Sequence, residues 1–141
     1  MATKPTLEEY ALTLAWAARL RSEDPHRQVG ACVLGRDGVV LGLGYNGPPT
    51  GVDLEPGMWA NRQLVRDVVV HAETNALRFV RPREGKILAT SYHPCLDCLR
   101  FAAAQGVHTI VYGTVPSTRW RPASVQLAAR LFDIDLRRLD V

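Results

Sequence analysis

His71-Ala-Glu73 and Pro94-Cys-Leu-Asp-Cys98 bring together side chains that can bind a metal and move a proton. Cys95 and Cys98 are three positions apart, a spacing that points both sulfurs the same way from the first turn of a helix. A helix N-terminus favours thiolate over thiol through its unpaired amides and its dipole. Two thiolates and the His71 imidazole make a neutral zinc site with one coordination position open. Three protein ligands plus water is the pattern of catalytic zinc, whereas structural zinc usually takes four protein ligands. Glu73 lies two residues beyond His71. It can stand beside the open position without ligating, take a proton from a zinc-activated water and hand it on.

Each motif alone has a plainer meaning. A lone Cys-x-x-Cys is more often redox or structural zinc, and a lone His-x-Glu arises by chance. A redox pair has no use for His71-Ala-Glu73. A structural site needs a fourth ligand, and no other Cys or His stands at a suitable spacing. The two motifs together therefore predict one zinc ion per chain, with His71, Cys95 and Cys98 as ligands and Glu73 as the catalytic group. Cys32 lies in an apolar run and reads as core filler. His26 and His108 read as surface or turn residues.

The elements that must position these motifs follow from pattern. Thr6-Leu-Glu-Glu9 is a capping box, and Leu7, Tyr10, Ala11, Leu14, Ala15 and Ala18 share a helical face. Val29 to Leu34 and Val39 to Leu43 form a hairpin turning at Asp37-Gly38. Gly44 to Gly51 is an irregular loop with three glycines and two prolines. Residues 52 to 69 carry little pattern beyond a short helix from Trp59 to Val65. A helix is expected over Val70 to Val80, a strand over Ile87 to Ser91, and a helix from Pro94, in its first turn, to Gln105, stopped by Gly106. A strand at Thr109 to Tyr112, a helix over 123 to 132 and a strand from Ile134 to Leu139 complete the order. Such alternation favours a sheet with helices on both faces.

The chain has 141 residues, 47% hydrophobic and 22% charged, with a net charge of +3. This predicts one soluble domain spanning 1–141, with no repeat or linker. No apolar run reaches the ~20 residues of a membrane helix, and the N-terminus lacks a signal pattern, so a cytoplasmic location is expected. The mild basicity suits an anionic substrate, but the dense Lys/Arg runs of a nucleic-acid binder are missing.

His-x-Glu followed by Pro-Cys-x-x-Cys is the known signature of zinc deaminases, and the chain resembles the cytidine and deoxycytidylate deaminase superfamily over nearly its whole length. Within that superfamily it is similar to the deoxycytidylate branch. Arg21-Ser-Glu-Asp-Pro25 with Gln28-Val-Gly-Ala-Cys32 looks like the segment after the first helix. Gly44-Tyr-Asn-Gly47 looks like the GYNG loop, His71-Ala-Glu73 with Asn75-Ala76 like HAExNA, and Pro94 to Cys98 like PCxxC. Gln105-Gly106 looks like the AGI-type turn, and Ala128 to Leu131 resembles the last helix.

The resemblance implies a three-layer α/β/α fold with a central mixed sheet of about five strands. It implies hydrolytic deamination of a free deoxycytidine nucleotide, most simply dCMP to dUMP and ammonia. Zinc-bound hydroxide would attack C4 while Glu73 shuttles protons. The Ala72 amide would donate to the base carbonyl and Asn46 would bond the deoxyribose. Arg119, Trp120 and Arg121 would meet the phosphate and the sugar or base face. Tyr45, Asn46 and Gly47 fall where relatives bind the effectors dCTP and dTTP, and a homo-oligomer, favouring a hexamer, is implied. His93 before Pro94 and Ala89-Thr-Ser91 depart from the family pattern beside the base pocket, which leaves a 5-substituted dCMP, dCTP or another cytosine compound as alternatives. A zinc-stabilised, non-catalytic nucleic-acid-binding module is the rival of another class. The intact Glu73 and the modest charge oppose it.

Overall fold

The computed structural model of the chain describes residues 3–114 and 123–141. Arg119, Trp120 and Arg121 lie outside the described residues. Helix α1 (Leu7–Ala18) begins at the expected capping box: Thr6 accepts from the Glu9 amide while the Glu9 carboxylate reaches back to the Thr6 amide. Strands β1 (Gly30–Leu34) and β2 (Val40–Tyr45) form the hairpin. Asp37 and Gly38 turn it with φ of 60° and 80°, the left-handed pair that a tight reversal needs.

After β2, a short 3₁₀ stretch at Pro56–Ala60 leads into α2 (Arg62–Val68). Then come α3 (Ala72–Leu77), β3 (Ile87–Tyr92), α4 (Leu96–Ala104), β4 (Thr109–Thr114), α5 (Ala123–Leu131) and β5 (Asp135–Arg138). The sheet order is β2-β1-β3-β4-β5. β1 runs antiparallel to β2 and β3, while β3, β4 and β5 are parallel, so the sheet is mixed.

Each sheet face has its own core. Ala11, Leu12 and Ala15 of α1 pack on Cys32, Leu34, Ala89 and Val111. On the other face, Ala72, Ala76, Leu99, Ala102 and Val125 from α3, α4 and α5 pack on Ala31, Val33, Leu88 and Ile110. The three layers expected from the sequence are therefore present. Among the described residues no helix is long and apolar enough to cross a membrane.

Four local expectations are corrected. The buried stripe of α1 is Ala11, Leu12 and Ala15, with Leu7 and Tyr10 exposed. The helix is drawn in at Gly30, where a β-carbon would come within 2.0 Å of the Ala15 carbonyl oxygen, so the helix turn at Ala15 packs directly on the sheet. β2 continues through Gly44 and Tyr45, and the irregular loop starts at Asn46. The helix expected over Val70 to Val80 is the six-residue α3, because Val70 is held in an antiparallel bridge with Gly47. Pro94 precedes its helix and is not in the first turn: Cys95 is the N-cap of α4.

Candidate metal centre and substrate cavity

The two motifs meet at two helix starts. His71 is the N-cap of α3, in extended backbone (φ −70°, ψ 151°), which leaves its ring outside the helix. The paired bonds between Gly47 and Val70, 2.8 and 3.1 Å, fix the chain just before it. Cys95 caps α4, and Cys98 falls in its first turn. His71 Nδ1 lies 3.2 Å from Cys98 Sγ and 3.5 Å from Cys95 Sγ. All three donor atoms are within 4.8 Å of one another, the one such cluster among the described residues. Zinc bonds of 2.0–2.1 Å to nitrogen and 2.3 Å to sulfur, at tetrahedral angles, place N and S about 3.5 Å apart. One borderline nitrogen and two soft sulfurs at this spacing fit zinc.

Electrostatics within the triad favour a bound cation. A hydrogen bond with Cys98 draws the Cys95 thiol down to about 4, with His71 adding to the effect, and the same bond pushes the Cys98 thiol up. The hydrogen bond with Cys95 also raises the His71 imidazole. Protons shared in this way are those that a divalent metal displaces when it binds.

Glu73 is 4% exposed. Burial raises its carboxyl above the ordinary range, although its own backbone amide and His71 oppose the shift. Ala72, the first residue of α3, is fully buried, and its amide is among those a helix start leaves without intrahelical partners. Both residues line a cavity of about 990 Å³ that also reaches His71, His93 and Cys95. That volume suits a nucleotide-sized ligand.

His93 is buried, with its ring edge-on to Tyr112 at 4.4 Å. Its Nδ1 lies 2.8 Å from the Pro94 carbonyl, to which it donates. Burial lowers its pKa, against the opposing pull of the Pro94 carbonyl and the Cys95 charge.

Asn46 lines the same cavity, but its carboxamide is already engaged. Oδ1 accepts from the Val29 amide and Nδ2 donates to the Arg27 carbonyl, each at 2.9 Å. One lone pair and one hydrogen remain for a ligand. Tyr45, Asn46 and Gly47 also line a second cavity of about 420 Å³, together with Arg21, Asn75 and Arg78. Asn75 donates to the Tyr45 carbonyl at 2.8 Å, which ties α3 to this loop. Cys32 is buried in β1, where burial pushes its thiol up to about 12. His26 and His108 are exposed, and His26 also borders the larger cavity.

The polar and aromatic cavity residues that the sequence did not single out include Asp24, Arg27, Arg62, Arg66 and Tyr92. Asp24-Pro25 is a turn-initiating pair, and the Asp24 carboxylate accepts the amides of His26 and Arg27 at 2.8 and 3.4 Å. That signal was readable. Arg62 bonds Asp24 across 38 positions, and nothing local in the sequence marks the pairing.

Residues 5–114 match the family described as the cytidine and deoxycytidylate deaminase zinc-binding region. The chain is 38% identical over 125 residues to a deoxycytidylate deaminase of Mycobacterium phage D29, covering 78% of this chain and 96% of that one. It is 29% identical over 130 residues to human deoxycytidylate deaminase, covering 87% and 71%. Among solved structures, a cyanophage S-TIM5 dCMP deaminase in complex with dCMP and dUMP shares the fold, with a TM-score of 0.72 and 23% identity over 98% of this chain and all of that one.

Proposed function

Given that this chain belongs to the cytidine and deoxycytidylate deaminase family, we propose that it hydrolyses the exocyclic amine of a free deoxycytidine nucleotide, converting dCMP and water to dUMP and ammonia. One observation carries the reading: a buried carboxylic acid, Glu73, shares a nucleotide-sized cavity with His71 and Cys95 of the metal-binding triad. The phage and human relatives named above are deoxycytidylate deaminases.

His71, Cys95 and Cys98 would hold the zinc, which supplies Lewis acidity toward a water molecule. The other roles fall to the chain itself. Glu73 takes a proton from the attacking water and delivers it to ring N3, then carries a proton to the departing amine. A C4–O bond forms and the C4–N bond breaks, with no change of oxidation state. The Ala72 amide holds the base carbonyl, and the remaining valences of Asn46 meet the deoxyribose. Arg119, Trp120 and Arg121 are assigned to the phosphate and the sugar or base face from sequence position alone.

Effector binding by dCTP or dTTP belongs to the Tyr45–Gly47 cavity in this reading, together with a cytoplasmic homo-oligomer. A 5-substituted dCMP is the second reading, raised by the departures of His93 and Ala89-Thr-Ser91 from the family pattern, with His93 on the cavity wall. Ammonia release from dCMP, deoxycytidine, cytidine, dCTP, 5-methyl-dCMP and a cytosine oligonucleotide decides among these. dCMP should give the highest kcat/KM, and faster deamination of the oligonucleotide would overturn the free-nucleotide assignment.

A further inference from the structure

Arg62 opens α2, and its guanidinium is fixed from two directions. One Nη donates to the Trp59 carbonyl at 3.1 Å, and the other to the Asp24 carboxylate at 3.2 Å. Asp24 is in turn immobilised. It is 3% exposed, its carboxylate accepts the His26 and Arg27 amides, and its carbonyl accepts from the Gln28 side chain. The Arg62 side chain keeps 33% of its exposure and lines the same cavity as Glu73. Two of the five N–H groups of the guanidinium are used by these bonds, and three remain.

The charge around the cavity is lopsided. Arg27, Arg62 and Arg66 line it, against the carboxylates of Asp24 and Glu73 and the Cys95 sulfur, whose charge a bound zinc would neutralise. Asp24 is committed to Arg62, and Glu73 is committed to proton transfer. Arg27 is itself held, its guanidinium 4.1 Å over the Tyr92 ring. The surplus is cationic and anchored, which is what a phosphate monoester dianion requires.

We propose that Arg62, oriented by Asp24, receives the 5′-phosphate of the substrate and makes the cavity selective for nucleotide over nucleoside. This rests on the deoxynucleotide reading above. Arg62 is a specificity residue, and Asp24 positions it.

The test compares Arg62→Ala, Arg62→Lys and Asp24→Asn on dCMP and deoxycytidine. The ratio of kcat/KM for dCMP over deoxycytidine should fall roughly 10- to 150-fold in Arg62→Ala, the weight of a hydrogen bond to a charged group. Arg62→Lys, which keeps the charge and loses the fork, should fall between wild type and Arg62→Ala. Asp24→Asn should raise KM for dCMP more than it lowers kcat. If Arg62 is only a brace, both substrates lose together, the ratio stays fixed and the proposal fails. A ratio that falls in Arg119→Ala or Arg121→Ala but holds in both Arg62 variants also overturns it. Calorimetric titration with inorganic phosphate is independent of turnover. Weaker phosphate binding by Arg62→Lys supports the assignment even if wild type proves not to deaminate dCMP, whereas equal binding overturns it.

Discussion

Gly44 of β2 lies so close beneath Ala76 of α3 that an added β-carbon would stand 2.5 Å from the Ala76 backbone nitrogen and 2.6 Å from the Ala72 carbonyl oxygen. Gly42 makes a similar approach, 2.0 Å from the Ala76 carbonyl oxygen. The helix that carries Glu73 is seated on bare backbone, and its height above the sheet sets where His71 meets the two cysteines. Gly44→Ala should therefore push α3 outward. Overpacking against backbone costs about 1–3 kcal/mol, and the strain falls on the metal triad. Thermal denaturation should show a lower Tm, and zinc content per chain should drop. Wild-type Tm and zinc content in this variant would mean that the close seating is not needed.

The metal triad makes its own prediction. Purified protein should carry one zinc per chain, and Cys98→Ala, which removes the sulfur nearest His71 Nδ1, should lose it. A chelator should abolish ammonia release, and added zinc should restore it. Elemental analysis settles the point: active protein without zinc is incompatible with this centre.

Glu73→Gln keeps the size and hydrogen-bonding capacity of the side chain and removes the acid. Zinc should remain bound, since the three ligands are intact, while turnover falls roughly 10²–10⁴-fold, the usual weight of general acid–base catalysis. Steady-state kinetics paired with metal analysis separates this from loss of the metal. Near-normal turnover would move the proton carrier elsewhere, with His93 the first group to examine.

These residues were legible in the sequence because their chemistry allows few alternatives. Only Cys and His at such spacings make the triad, and the capping box of α1 is equally specific. What the sequence hid was set by distance or by partners. The face of α1 depended on Gly30 admitting the helix at Ala15, a contact between two elements. The short α3 depended on Gly47 claiming Val70. The sequence marks Asn46 for a ligand but does not show that its carboxamide also joins the loop to the backbone of Arg27 and Val29. The Asp24–Arg62 pair joins residues 38 positions apart, and an arginine in a segment without local pattern, such as that around Arg62, reads as a solvated charge.

That pair also predicts an acid response. Burial pushes the Asp24 carboxyl up, but the hydrogen bond and charge of Arg62, together with the His26 and Arg27 amides, outweigh burial and leave its pKa lowered. A carboxyl with a lower pKa folded than unfolded binds fewer protons in the native state. Its stabilisation is fully present above the unfolded value of about 3.9 and is lost as pH falls through the folded value. Wild type should therefore lose urea resistance as pH falls below about 4. Asp24→Asn removes this titration, so its midpoint should be lower than that of wild type at neutral pH and should decline less between pH 5 and 3. Zinc release also destabilises in acid, so the comparison belongs in zinc-free protein, where the difference between the two curves isolates Asp24. Parallel curves for the two proteins would mean that the Asp24 carboxylate has the same pKa folded and unfolded, and that the pair does not hold the segment from Asp24 to Arg27 in place.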